Sequence, residues 1–124
     1  LDVIRADGGT RAASVPGAWL ALHRACASLV QQGVLQTNPV CSQVAAVSVG
    51  LLGGEALLDL DYSEDSRADV DLNVVMNDCG DLLELQGTAE GTAFSRQQLN
   101  LLLDRAEPGL KQLMDAQNEA LQLR

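Results

Sequence analysis

The sequence is poor in aromatic residues, lysine and histidine, and each shortage narrows what the chain can be. Trp19, Tyr62 and Phe94 are its only aromatic side chains, so leucine, valine and alanine must build the core. With Lys111 as the one lysine, the net charge is −9, which argues against nucleic-acid binding by this chain alone because Lys and Arg neutralise phosphates. A single histidine, His23, argues against a zinc site.

Cysteines are few and apolar runs are short. The three cysteines are widely spaced without a C-x-x-C pair, which predicts free thiols in a reducing compartment. No apolar run reaches the roughly 20 residues of a membrane span, so we expect no membrane partner. The chain opens on Leu1 rather than Met, inside what looks like a strand, and we therefore expect an N-terminal portion to precede it.

The apolar pattern predicts a two-layer α/β (α+β) sandwich in the order β-α-β-β-β-β-α-α, with helices mainly on one face of one sheet. Residues 1–6 are expected to form a strand. A helix then runs to about Gln32 with Gly33 as its cap, and Pro16 would bend this helix if it begins at Thr10.

The middle of the chain predicts a meander of about four strands. Residues 44–52 are almost continuously apolar, as in a central strand, and the Gly-Gly pair that follows favours a tight hairpin turn. Residues 58–62 and 69–76 alternate between apolar and polar side chains, and residues 82–86 form a further strand.

Two helices are expected after the strands. Ser95 and Gln98 form an S-x-x-Q capping box, and Phe94 and Leu99 stand at the positions of a hydrophobic staple. The Glu-Pro-Gly sequence at residues 107–109 is expected to end this helix, and a second helix follows.

A glycine turn before the first helix is one candidate site. Gly8 and Gly9 would let an anion approach the backbone, and the helix N-terminus offers free N–H groups. Thr10 adds a hydroxyl, and Arg11 adds a guanidinium that can bind two phosphate oxygens. These features predict a phosphate pocket, although the pattern alone is more often an ordinary turn with a solvent-facing arginine.

A second candidate is an acidic cluster within 13 residues, comprising Asp59, Asp61, Glu64, Asp65, Asp69 and Asp71. The charges repel one another unless solvent or a cation offsets them, and oxygen ligands suit Mg²⁺ or Mn²⁺. A solvated acidic edge that blocks strand pairing is an equal alternative. The polar stretch at residues 86–91 is expected to be a connecting loop.

Four blocks of the sequence together resemble the ribonuclease PH family. They are ADGGTRAAS at residues 6–14, AAVSVG at 45–50, the acidic signature at 59–62, 64–66 and 71–76, and ELQGTAEG at 84–91. The match covers essentially the whole chain in the right order. It implies the ribosomal protein S5 domain 2-like fold with a left-handed βαβ crossover. Residues 1–124 would then be the C-terminal part of one ribonuclease PH domain whose N-terminal half is absent.

The resemblance also implies an activity. Family members are phosphorolytic 3′-to-5′ exoribonucleases that trim the 3′ ends of tRNA precursors, use inorganic phosphate as co-substrate and release nucleoside diphosphates. Gly9, Thr10 and Arg11 match the family's phosphate-binding residues. Asp65 and Asp71 match its two essential aspartates, which would act as proton donor or as Mg²⁺ ligands. A further phosphate-binding arginine belongs to the family's N-terminal half, so this chain alone is expected to hold an incomplete site.

Family members are cytoplasmic and assemble as hexameric rings of dimers. RNA, inorganic phosphate and further copies of the chain are therefore the expected partners. Two other functions stay open: a non-catalytic, exosome-type ring subunit that binds RNA or acts as a scaffold, and an acidic Mg²⁺- or protein-binding module unrelated to RNA. The chain could also be an inactive fragment.

Overall fold

The computed structural model describes residues 1–122, which form a four-stranded antiparallel sheet with two long helices and one short helical turn. The helices are α1 (Thr10–Gln31), α2 (Tyr62–Asp65) and α3 (Arg96–Gln122). The strands are β1 (Val44–Leu52), β2 (Glu55–Leu58), β3 (Val70–Asn77) and β4 (Leu82–Ala89), in the spatial order β2-β1-β3-β4. The α+β class is confirmed, but the sheet is not a simple meander because β1 lies between β2 and β3. Positions 123 and 124 of the predicted domain lie outside the described part.

β1 is the central strand that the apolar run predicted, and its residues 45–51 are all buried. The hairpin to β2 turns through Gly53 and Gly54, whose φ angles are 59° and 82°. A two-residue turn of type I′ requires positive φ at both central positions, and glycine adopts this conformation without steric cost. The predicted central strand and hairpin turn are therefore confirmed.

The core lies between one face of the sheet and α3. Alternate residues of β1 and β3 point to this face and meet a stripe on α3 that recurs at steps of three and four. The buried cluster consists of Ala45, Val47, Val49, Leu51, Val70, Leu72, Val74, Leu102, Ala106, Leu110 and Met114. The intervening strand positions face away from α3, and several of them carry polar side chains.

A buried glutamine joins α1, β1 and α3. Gln117 is 4% exposed, and its Nε2 donates to the carbonyl oxygens of Pro16 and Val44 at 3.2 and 3.0 Å. Its Oε1 accepts from Gln43 Nε2 at 3.1 Å. Because these polar atoms have partners, burial of the side chain avoids the cost of unsatisfied groups. α1 does begin at Thr10 and contains Pro16, which is buried.

Residues 1–6 do not form the predicted strand. They are irregular, and Leu1, Val3 and Ile4 are 93%, 66% and 100% exposed. Apolar, β-branched sequence favours a strand only where a neighbouring strand and a packing surface exist, and residues 1–122 provide neither here. No strand precedes α1 in the described chain, so the crossover that the resemblance implies is not formed within it.

The Glu-Pro-Gly sequence does not end a helix, and the two predicted C-terminal helices are one. α3 continues through Pro108 because its buried stripe is unbroken, with Ala106 on one side and Leu110 on the other. Gly109 lets the helix approach β2 closely, since an added Cβ would lie 2.7 Å from Leu58 Cδ2. Burial of the stripe thus outweighs the roughly 3 kcal/mol cost of an internal proline. Within residues 1–122 no helix is long and apolar enough to span a membrane.

Candidate functional site

The acidic segment after β2 is not the predicted strand. β2 ends at Leu58, Asp59 has a φ of 58°, and Asp61 caps the short helix α2. Asp61 Oδ1 accepts from the Glu64 backbone N–H at 2.8 Å, and Glu64 Oε2 accepts from the Asp61 N–H at 3.1 Å. This reciprocal capping box starts a helical turn, and it overrides the alternating pattern that predicted a strand.

Leu60 anchors this segment to the sheet. It is buried and lies over Gly50 of β1, where an added Cβ would be 2.6 Å from Leu60 Cδ1. The turn before α1 packs against the same segment, since a Cβ on Gly8 would lie 2.8 Å from the Leu60 carbonyl oxygen. These two close approaches hold the N-terminus of α1 beside the segment that leads into α2.

The carboxylates of the acidic cluster divide by role. Asp61 and Glu64 cap α2, and Asp69 Oδ2 accepts from a backbone N–H of the β1–β2 turn at 3.2 Å. Asp65 and Asp71 have no such structural task. No group of three or more His, Cys, Asp and Glu side chains within residues 1–122 could hold a metal ion, so the cluster is not a cage built by the protein alone.

Asp65 and Asp71 share a cavity with the beginning of α1. The cavity has a volume of about 150 Å³. It is lined by Gly9, Thr10, Arg11, Ala12, Ser48, Leu60, Asp65, Asp71 and Asn73. The structure therefore brings together the three residues that match the family's phosphate-binding residues and the two aspartates, whereas Gly8 does not line the cavity.

The N-terminus of α1 is open at this cavity. Gly9 is the N-cap residue with a φ of 64°, no side chain caps the helix, and the first turn contains no acidic residue. The first N–H groups of a helix have no partner within the helix, and they carry a partial positive charge. These groups are available to an anion in the cavity.

Asp71 carries a perturbed carboxyl group. Burial is the main cause, followed by a hydrogen bond with Asp65 and repulsion from Asp65 and Glu90, and together they raise the pKa of Asp71 to about 6. That hydrogen bond requires a proton on one of the two carboxyls. Oδ1 of Asp71 is buried without a hydrogen-bond partner. A shared proton or a bound cation would relieve this arrangement.

Arg11 extends from α1 to β4. Its Nη2 donates to Glu84 Oε1 at 2.8 Å, and its Nη1 donates to Gln86 Oε1. Glu84 and Gln86 are two residues apart and so lie on one face of the strand. A second cavity of about 180 Å³ is lined by Arg11, Asp71, Asn73, Gln86, Gly87, Thr88 and Glu90. The two cavities share three residues, and we call them together the cleft.

Residues 86–89 belong to β4 and not to the predicted loop. Gly87 pairs with Leu72, and an added Cβ would lie 2.6 Å from Leu72 Cδ1, so glycine makes room for a core leucine. Sequence reasoning also missed Ser48 and Asn73, which pair across β1 and β3 and line the cleft. The signal was present, because each stands at a polar position between buried apolar neighbours in a strand.

Comparison with known proteins identifies the family. The family model described as 3′ exoribonuclease family, domain 2, matches residues 42–108, which is more than half of the chain. The chain belongs to the 3′ exoribonuclease family. Ribonuclease PH of Synechococcus sp. (strain CC9605) is 71% identical over 96% of this chain and 48% of the relative. Ribonuclease PH of Prochlorococcus marinus (strain MIT 9313) is 67% identical over 97% of this chain and 49% of the relative. The resemblance seen in the sequence is confirmed, and the chain spans about half the length of these curated relatives.

Two solved structures share the fold of this 3′ exoribonuclease family chain. Rice Rrp46 aligns with a TM-score of 0.60 and 21% identity. The alignment covers 82% of this chain and 46% of the Rrp46 chain. A chain of the Archaeoglobus fulgidus exosome with RNA bound to the active site aligns with a TM-score of 0.56 and 18% identity. The alignment covers 71% of this chain and 35% of the exosome chain. At these identities the likeness shows the fold alone.

Proposed function

We propose that the protein is a phosphorolytic 3′-to-5′ exoribonuclease that trims the 3′ ends of tRNA precursors. The observation that carries the proposal is one cavity lined by Gly9, Thr10 and Arg11 together with Asp65 and Asp71. Phosphorolysis of RNA requires an anion site for phosphate and a group that assists the leaving oxygen, both within reach of one RNA terminus. High identity to proteins named ribonuclease PH supports the same reaction.

In this reaction an oxygen of inorganic phosphate attacks the phosphorus of the last phosphodiester. The bond from that phosphorus to the 3′ oxygen of the preceding nucleotide breaks. The products are a nucleoside diphosphate and an RNA shortened by one nucleotide. Thr10, Arg11 and the free N–H groups of α1 hold the attacking phosphate and offset the negative charge of the transition state.

The departing 3′ oxygen needs a proton or a cation. Because its pKa is raised to about 6, Asp71 keeps its proton in a minority of molecules near neutral pH, and these molecules can donate it. Asp65 contributes by its hydrogen bond and its charge, which help to keep the proton on Asp71. In this assignment Asp71 is the general acid and Asp65 its neighbouring catalytic carboxylate.

The same carboxyl pair fits a Mg²⁺ ion. Sites for phosphate chemistry commonly hold Mg²⁺ through one or two carboxylates together with substrate phosphates and water. Asp65 and Asp71 offer that set, and Oδ1 of Asp71 is buried without a partner. A bound Mg²⁺ would supply Lewis-acid stabilisation of the leaving oxygen, with Asp65 and Asp71 as its protein ligands.

We further infer a cytoplasmic enzyme that works as a hexameric ring of dimers, as the resemblance to ribonuclease PH implies. The charge of −9 does not itself favour assembly; it indicates that the positive side chains an RNA backbone needs, beyond Arg11 in the cleft, come from sequence outside this chain or from a neighbouring subunit. Native mass spectrometry measures the number of subunits directly.

The experiment that tests the proposed function identifies the products formed from a tRNA precursor with a 3′ extension, using the protein as the cell produces it. We expect nucleoside diphosphates when phosphate is present and no release without it. Asp71→Asn is expected to lower the rate about 100-fold or more while the variant remains folded. Release of nucleoside monophosphates without phosphate would contradict the proposal. RNA binding without any turnover would favour a non-catalytic ring subunit instead.

A further inference from the structure

Ser48 is the one polar side chain in the buried stretch of β1 at residues 45–51. It is 7% exposed, and its Oγ is buried without a hydrogen-bond partner. Burial of an unpaired hydroxyl costs on the order of 1–3 kcal/mol, and folded proteins contain few such groups. A serine in this position therefore calls for an explanation that packing alone does not give.

Ser48 lines the same cavity as Asp65 and Asp71. Ser48 pairs across the sheet with Asn73, and Asp71 is two residues along β3 on the same face. Oδ1 of Asp71 is likewise buried without a partner. Two neighbouring strands thus each carry a buried, unpaired polar atom on a residue that lines this small cavity.

The chemistry of the surrounding groups indicates the ligand. An ionised carboxylate can only accept hydrogen bonds, whereas a serine hydroxyl can also donate one. The uncapped N-terminus of α1, the hydroxyl of Thr10 and the guanidinium of Arg11 are further donors at the same cavity. Donors that converge from a helix end and from a strand suit a tetrahedral anion with several acceptor oxygens.

We propose that the Ser48 hydroxyl donates a hydrogen bond to a phosphate oxygen in this cavity and is a further substrate-binding residue. The inference rests on the proposed function. The oxygen can belong to the inorganic phosphate or to the last phosphodiester of the RNA, and kinetics separate the two sources. Ser48 lies on the sheet and Thr10 on α1, so the phosphate is held from two sides.

The test compares Ser48→Ala with Ser48→Thr, which keeps the hydroxyl. We expect Ser48→Ala to raise the KM for phosphate about 10-fold if Ser48 binds the co-substrate, or the KM for RNA by a similar factor if it binds the phosphodiester. Ser48→Thr should stay within about threefold of the wild-type protein. The matched control is Ser28→Ala, which removes an exposed hydroxyl that accepts from Gln32 Nε2, and it should change neither KM.

A binding measurement separates this inference from the proposed function. Without phosphate, Ser48→Ala should melt at the same or a higher temperature than the wild-type protein, because the lost hydroxyl has no protein partner. The rise in melting temperature on adding inorganic phosphate should be smaller in Ser48→Ala, and this readout needs no catalysis. Unchanged KM values in Ser48→Ala, together with an unchanged response of its melting temperature to phosphate, would overturn the inference. A wild-type protein that binds phosphate without cleaving RNA would overturn only the proposed function.

Discussion

The Nη2 atom of Arg11 lies 2.8 Å from Oε1 of Glu84, although the two residues are 73 positions apart in the sequence. Gln86 accepts from the other terminal nitrogen, so β4 holds the guanidinium at two points. A guanidinium has five N–H donors, and these two contacts leave others for a substrate oxygen. The cleft therefore depends on β4 as well as on α1.

Loss of Glu84 should weaken phosphate binding through Arg11. Glu84→Ala is expected to raise the KM for phosphate about three- to tenfold, because Arg11 loses one of the groups that orient it. The change should have no further effect in an Arg11→Ala background, which a double-mutant cycle measures. Glu107→Ala breaks the exposed Lys111–Glu107 ion pair at 3.0 Å and serves as the control. An equal loss in both backgrounds would mean that Glu84 does not act through Arg11.

Asp71 should make stability depend on pH. Its pKa in the folded protein, about 6, lies above the ordinary 3.8, so the folded state binds a proton more readily than the unfolded state. Stability should therefore fall as the pH rises through 6. After allowance for partial exposure to solvent, Asp71→Asn should raise the free energy of unfolding at pH 8 by about 1–2 kcal/mol and change it less at pH 5. Urea unfolding at both pH values measures this, and an equal effect at both would contradict it.

Gly50 and Gly17 should respond to alanine in opposite directions. A Cβ at Gly50 would lie 2.6 Å from Leu60 Cδ1 and 2.7 Å from the Val70 carbonyl oxygen, so Gly50→Ala should cost about 1–3 kcal/mol of stability and disturb the cleft. Gly17 lies in α1 with nothing within 4 Å, and Gly17→Ala should stabilise the protein by about 0.5–1 kcal/mol. Chemical denaturation of both variants is the measurement. A neutral Gly50→Ala would show that Leu60 does not pack as described.

The capping box of α3 should contribute measurably to stability. The Ser95 N–H donates to Gln98 Oε1 at 2.8 Å, and the Gln98 N–H donates to Ser95 Oγ at 3.1 Å, as the sequence predicted. Ser95→Ala should lower the free energy of unfolding by about 1 kcal/mol, and Ser95→Asp should largely retain it. Equal losses in the two variants would argue against capping as the cause.

Local signals predicted most elements because they act over a few residues. The apolar run of β1, the glycine turn after it and the capping box at Ser95 each carry a complete physical reason within their own sequence. The failures needed tertiary information. A strand at residues 1–6 lacks a partner, and Pro108 stays helical because the stripe on α3 is buried on both sides of it.

The candidate site likewise combines features that local sequence predicts with a proximity that only the tertiary structure shows. The glycine turn with Arg11 and the acidic cluster were visible as patterns, but no spacing rule stated that they share a cavity. That proximity arises because Leu60 packs on Gly50 and the Gly8 turn packs on Leu60. Ser48 was overlooked because a serine inside an apolar strand resembles a tolerated small residue until its hydroxyl is seen to lack a partner.

The most direct test of the central claim is the dependence of nucleoside diphosphate release on phosphate concentration in the wild-type protein and in Arg11→Ala. Arg11 should contact the attacking phosphate, so the variant is expected to need at least about tenfold more phosphate for half-maximal rate. A wild-type phosphate dependence in a folded Arg11→Ala variant would contradict the assignment of the α1 N-terminus as the phosphate site.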